Sequence, residues 1–317
     1  MSARAALVSM TMVIALGCGR DHRAPIARGA GGSLASPLVS RWAESFPGPG
    51  RVDYQPTGSE GALTLVELGT VDFGVRDTPL TDAERARAGA SLVELPLAHG
   101  AVAVAANLPG VSDLKLDREL LAGLFLGEIP RWSDPRIART NPGKVLPDVP
   151  VLVVHRADGS GTMRKFSEYV AAASPRFREI AGAGDAPNLG TGVRARGTGG
   201  VAMSLKSTLG AVGVLELGLA RSSGLSVASL EGAGGAYVAP SPEGNGYPLV
   251  STIYAISNVG SGPRATLVAS FFSWALGAGQ SAATFGPGPH DPAFGPLTPS
   301  ERDAARKALE AWSGARS

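Results

Sequence analysis

The stretch Val151-Leu-Val-Val-His-Arg-Ala-Asp-Gly-Ser-Gly-Thr162 changes character at its middle, and that change decides the fold. Val151 to His155 is apolar and β-branched enough to form a buried strand. It runs straight into Arg156-Ala-Asp-Gly-Ser-Gly-Thr162, behind which Met163, Phe166 and Val170 fall on one face of a helix. A turn of this kind leading into a helix can cradle an anion. The helix start presents unpaired backbone N–H groups and partial positive charge, glycine permits close approach, and Ser or Thr adds a hydroxyl donor.

Two earlier turns share this design: Gly29-Ala-Gly-Gly-Ser33-Leu34 and Thr57-Gly-Ser59-Glu-Gly61. A serine before a helix is usually an ordinary N-cap, so the repetition carries more weight than any single copy. None is a nucleotide P-loop, because the third turn lacks the Gly-Lys-[Ser/Thr] ending and Lys165 lies beyond Thr162. No dinucleotide fingerprint follows a strand at the proper place. Arg156 offers a charged fork matching two oxygens of a tetrahedral anion, and Asp158 is close enough in sequence to orient it. Asp77, followed by Thr78-Pro79, reads on its own as a turn residue.

Outward from these turns, strand-like and helix-like patterns alternate, which favours an α/β architecture. Leu38, Trp42 and Phe46 predict a helix behind Ser36-Pro37, Leu63 and Val66 a second one stopped by Gly69, and Val71 to Val75 a short strand. Ala101 to Ala106 predicts another strand, closed by Asn107-Leu-Pro-Gly110, and is read as the first crossing between lobes; Val250 to Ile256 is the return crossing. Leu120 to Leu126, Ala265 to Leu276 and Arg302 to Trp312 read as helices, and Glu231 to Ala236 as a surface loop.

The chain has 317 residues, beyond the size at which one core usually keeps growing, so two lobes are expected. Its formal charge of +2 is too small to argue for nucleic acid, and an anion must be captured by local geometry. The four histidines are scattered, so no metal or other cofactor is expected. The only cysteine is Cys18, which excludes a disulfide within the chain. Arg4, the apolar run Ala5 to Leu16 and then Gly17-Cys18 have the layout of a secretory signal peptide, too short to span a bilayer. The segment also resembles a bacterial lipoprotein signal with Cys18 as the lipidated residue; an ordinary signal peptide with an incidental cysteine is the alternative.

Five pieces, in order, resemble the periplasmic phosphate-binding protein of the phosphate ABC transporter: Gly29-Ala-Gly-Gly-Ser-Leu34, Tyr54-Gln-Pro-Thr-Gly-Ser-Glu-Gly61, Val71-Asp-Phe-Gly-Val-Arg-Asp-Thr-Pro-Leu80, Leu126-Gly-Glu-Ile-Pro-Arg-Trp132 and Arg156-Ala-Asp-Gly-Ser-Gly-Thr162. The resemblance implies a two-lobed periplasmic binding protein fold of type II, with dehydrated phosphate held between lobes joined by crossing strands. It places phosphate contacts at Ser33, Leu34, Ser59 and Asp77 on lobe one and at Arg156, Ser160, Gly161 and Thr162 on lobe two. Leu34 stands where the family commonly has Phe, and Arg76 where a small residue precedes the aspartate; outward into solvent is the placement of Arg76 that best suits selectivity.

The expected organisation is a signal peptide at 1–17, a tether at 18–28, lobe one at 29–106 with 252–317, and lobe two at 107–251. The expected function is capture of inorganic phosphate for an ABC importer, with permease and ATPase subunits as partners, by a monomer lipid-anchored in the periplasm or at the cell surface. Phosphate sensing or binding of another oxyanion is the first alternative. A phosphomonoesterase is the second, but it needs a base or metal beside its serine, and no such cluster stands out.

Overall fold

The computed structural model describes residues 24–314 apart from 90, 244, 259, 282–284 and 286–292. The signal segment with Cys18, and also His22 and His290, lie outside the described residues. From the N-terminal side come β1 (Ile26–Gly31), α1 (Ser36–Ser45), β2 (Arg51–Pro56), α2 (Ser59–Glu67), β3 (Phe73–Arg76), α3 (Asp82–Ala88) and the long β4 (Val93–Ala106). Next are β5 (Lys115–Leu116), α4 (Arg118–Phe125), α5 (Pro135–Thr140), β6 (Leu152–Arg156), α6 (Gly161–Ala173), α7 (Pro175–Ile180), β7 (Val193–Ala195), α8 (Gly197–Ser207), β8 (Ala211–Glu216) and α9 (Leu217–Ser222). Three short strands, β9 (Ser226–Val227), β10 (Ser229–Glu231) and β11 (Tyr237–Val238), precede the return strand β12 (Val250–Ser257). The chain closes with α10 (Pro263–Ala275), β13 (Phe294–Gly295) and α11 (Pro299–Gly314).

The strands run in the order β2-β1-β3-β12-β4-β8-β6-β7, with β9 and β13 also paired to β4. β1 is parallel to β2 and β3, and β6 is parallel to β7 and β8, as strands joined by helical crossovers must be. β12 and β4 run antiparallel between these two groups and join them. Ligands of open α/β sheets bind beyond the carboxyl ends of parallel strands. Here those ends are the exits of β1, β3 and β6, which lead to Ser33, Asp77 and Arg156.

β4 shows how one strand serves two cores. Leu95 and Leu97 pack with Trp42, Phe73, Phe271 and Phe272 in the first lobe. Beyond Gly100 the run Ala-Val-Ala-Val-Ala-Ala alternates between the two faces of the second sheet. Val102, Val104 and Ala106 join Phe125, Trp132 and Phe166, while Ala101, Ala103 and Ala105 join Val154, Val201 and Leu205. Ala101 to Ala106 therefore packs with the second lobe, and the chain crosses before this run rather than after it. On the return, Leu249 still belongs to the second core and accepts a hydrogen bond from Val102 N at 2.8 Å.

The helix expected from Leu38 and Trp42 forms as α1, with Pro37 in its first turn and both side chains buried. Burial of each large apolar side chain contributes about 1.5–3 kcal/mol. The tether boundary needs correction, because strand β1 begins at Ile26 and Ala27 is fully buried. Arg28 N donates to the Asp72 carboxylate at 2.8 Å, and Asp72 N donates to Arg28 O at 2.7 Å. The small residues of β1 hide it from a hydrophobicity reading, yet Gly29 is small for a reason: a Cβ there would stand 2.1 Å from the Phe73 ring.

Candidate functional site: an anion cleft between the lobes

Three strand ends and two helix starts assemble the site. Ser33 and Leu34 lie in the turn from β1 to α1, Ser59 opens α2, and Asp77 follows β3 directly. Across the cleft, Arg156 ends β6, Ser160 is the N-cap of α6, and Gly161 and Thr162 are its first residues. All except the half-buried Ser33 are buried. Backbone bonds lock the turns together on the first lobe: Gly32 N donates to Val75 O, and Gly58 N to Gly31 O, each at 2.9 Å. Tyr54 supports the same turn, its hydroxyl donating to Gly32 O at 2.9 Å.

Arg156 is the hub. Its Nε and Nη2 donate to Asp158 Oδ1 and Oδ2 at 2.9 and 2.5 Å, a bidentate pair that fixes the plane of the guanidinium. Nη1 then reaches Ser160 Oγ at 2.9 Å on its own lobe and Ser33 Oγ at 3.1 Å on the other. Asp158 also accepts from Gly197 N at 3.1 Å. Partial burial opposes ionisation of Asp158, but the bonds from Arg156 and Gly197 hold its carboxyl below the usual range.

Asp77 faces the opposite electrostatics. Burial pushes its carboxyl above the usual range; Ser59 and Arg156 pull it down, and Asp185 pushes it up. Its Oδ1 is buried with no hydrogen-bond partner among the described residues, an acceptor aimed at the place where Gly161 begins α6. The nearby charge of Asp77, after burial, also raises the Tyr54 phenol. Leu34 crosses the cleft outright: it is a first-lobe residue whose side chain packs in the second-lobe core. These contacts describe a closed cleft that brings Ser33, Ser59, Asp77, Arg156, Ser160 and Gly161 together, with Leu34 and Thr162 adjacent to them in the chain.

A family model described as the PBP superfamily domain matches residues 19–278. The phosphate-binding protein PstS of Haemophilus influenzae is 31% identical over 288 residues, covering 81% of this chain and 86% of that protein. The chain belongs to the PstS family of the PBP superfamily. PstS of Xylella fastidiosa is 37% identical over 219 residues, which cover 68% of this chain and 60% of that relative's length. Among solved structures, a high affinity periplasmic phosphate-binding protein bound with phosphate superposes with a TM-score of 0.69 at 19% identity, over 89% of this chain and 93% of that one. The architecture is thus the two-lobed type II fold of PstS proteins.

The sequence left the orientation of Arg76 open. It is buried rather than in solvent, the placement that would have suited selectivity best, and its guanidinium pairs with Glu84 of α3 at 2.9 and 3.3 Å. Glu84 is fixed in turn by the capping box with Thr81, whose backbone N–H it accepts at 2.8 Å. The motif Thr81-Asp-Ala-Glu84 signals that box in the sequence, but nothing local ties it to Arg76. Burial works against the Glu84 charge, yet the bonds from Thr81 and Arg76 keep its carboxyl below the usual range.

Two residues near the site escaped sequence reasoning. Thr198, second residue of α8, places Oγ1 2.8 Å from Ser33 Oγ. Its signal was present as a fourth glycine-rich turn, Gly197-Thr-Gly-Gly200. Asp185 accepts from Ser160 N at 3.2 Å through its carbonyl and binds Arg164 Nε at 2.9 Å through its carboxylate. It lies in a loop with no recognisable pattern. Beside the cleft, a cavity of about 330 Å³ lined by Asp77, Thr78, Gly161, Arg164, Lys165 and Thr252 adjoins the site. His155 is half-buried on β6, and burial holds its imidazole below the usual value.

Proposed function

We propose that the protein captures inorganic phosphate outside the cytoplasmic membrane and delivers it to the permease and ATPase subunits of an ABC importer. In this reading it works as a monomer held to a membrane by lipid on Cys18. The observation that carries the reading is the convergence, from two lobes, of several donors and one carboxylate acceptor on one small site. Arg156, Ser33, Ser59, Ser160, Thr162 and the backbone N–H groups of Leu34 and Gly161 supply the donors. Asp77 supplies the acceptor, and its buried Oδ1 without a partner is the atom that a ligand hydroxyl satisfies.

That combination selects phosphate by chemistry. Inorganic phosphate has three ionisations, of which the second lies at about 6 or slightly above and the third far higher, so near neutral pH it keeps at least one proton. An ionised Asp77 accepts that proton in a hydrogen bond, whereas sulfate meets it with lone pairs and charge alone. The PstS relatives are named for binding phosphate, which agrees with this reading. Catalysis fits poorly: among the described residues the hydrogen-bond partners of the Ser33 and Ser160 hydroxyls are Arg156 and Thr198, neither of which is a base that could take a serine proton.

Calorimetric titration tests the proposal. One phosphate per chain with no heat from sulfate is the expected result, together with no turnover of a phosphate monoester in a parallel assay. Equal binding of both anions, or ester hydrolysis, would refute it.

A further inference from the structure

We infer that Thr198 is a positioning residue for the anion site: from the second lobe, its hydroxyl fixes the direction in which the Ser33 hydroxyl of the first lobe points. The inference rests on the phosphate-capture reading above and adds to it a residue outside the eight predicted contacts. Thr198 is 5% exposed, and its Oγ1 lies 2.8 Å from Ser33 Oγ across the cleft.

Either hydroxyl can donate in this bond, and Thr198 is taken as the donor. A guanidinium only donates, so Ser33 Oγ accepts from Arg156 Nη1 at 3.1 Å. A hydroxyl has one proton and two acceptor sites. When Thr198 donates into the second site, the Ser33 proton is left to point at the anion. Without Thr198 only the bond from Arg156 restrains that rotor, and ordering its proton again weakens binding. Two features keep the Thr198 hydroxyl in place. Its β-branched side chain is stiff at χ1. The start of α8 is also anchored, because Gly197 N donates at 3.1 Å to Asp158, the carboxylate that orients Arg156. Arg156 and Thr198 are thereby referred to one common group. Because Ser33 and Thr198 sit on different lobes, their bond exists only when the cleft is closed, so its loss acts on phosphate release more than on capture.

The test is titration with inorganic phosphate, with stopped-flow release rates, for the unaltered protein, Thr198→Val, Thr198→Ala, Thr198→Ser, Ser33→Ala and the double variant Ser33→Ala/Thr198→Val. Losing one neutral hydrogen bond predicts affinity about three- to tenfold weaker in the Val and Ala variants, carried by faster release. Thr198→Ser, which keeps the hydroxyl, should stay within about twofold of the unaltered protein. In the Ser33→Ala background Thr198→Val should change nothing further, the coupling that separates positioning from a general packing role. Unchanged affinity in both Val and Ala variants, or the same loss with Ser33 absent, would overturn the inference while leaving phosphate capture intact. If the unaltered protein bound no phosphate, the capture reading would fall and the inference with it.

Discussion

Gly161 lies so close to the Asp77 carboxylate that a Cβ built on it would sit 1.9 Å from Oδ1 and 2.2 Å from Cγ. The two residues belong to different lobes, so this contact forms only as the cleft shuts. A methyl group here has no room, because Asp77 is itself buried against Ser59 and cannot swing away cheaply. Gly161→Ala should hold the lobes apart and weaken phosphate binding by about tenfold or more, the range expected of overpacking by one methyl. The melting temperature without phosphate should stay near that of the unaltered protein. Calorimetry and thermal melting check the two parts separately.

Asp77→Asn should keep measurable phosphate binding, because the amide offers either a donor or an acceptor, while sulfate becomes a detectable competitor. The relieved penalty is about 1–3 kcal/mol, the usual cost of a buried polar group without a partner. A competition titration at fixed ionic strength reads it; identical sulfate exclusion in both proteins would move discrimination elsewhere.

Glu84→Gln probes the arginine that stands beside Asp77. Removing the partner leaves the buried Arg76 charge uncompensated, and melting should show a loss of about 1–2 kcal/mol, reduced from the fully buried case because Glu84 is 25% exposed. The Glu84 carboxyl is depressed below its ordinary 4.5, so this contribution is present above that value and is lost as pH falls. Sulfate exclusion should also relax, since Arg76 is then free to offset the negative charge of Asp77.

The legible parts of the sequence were those where chemistry is local. Arg156 to Thr162 announces a strand end, a glycine turn and a helix start within seven residues, and the structure arranges it so. Ser36-Pro37 and the Leu38–Trp42 spacing likewise foretell α1. β1 was hidden because its residues are mostly Ala and Gly, and at Gly29 the Phe73 ring packs too closely for anything larger. The crossing in β4 was hidden because Ala and Val alternate without a breaker at Gly100. Arg76–Glu84 and Ser33–Thr198 are side-chain meetings between separate elements, the second spanning 165 positions in the chain, and no spacing rule reaches that far.

Small-angle scattering with and without phosphate is the most direct test of a site completed by both lobes, with sulfate and Arg156→Ala as controls. Saturating phosphate should lower the radius of gyration of the unaltered protein, sulfate should leave it unchanged, and Arg156→Ala should not respond at the same phosphate concentration. A scattering curve identical with and without saturating phosphate would contradict the account.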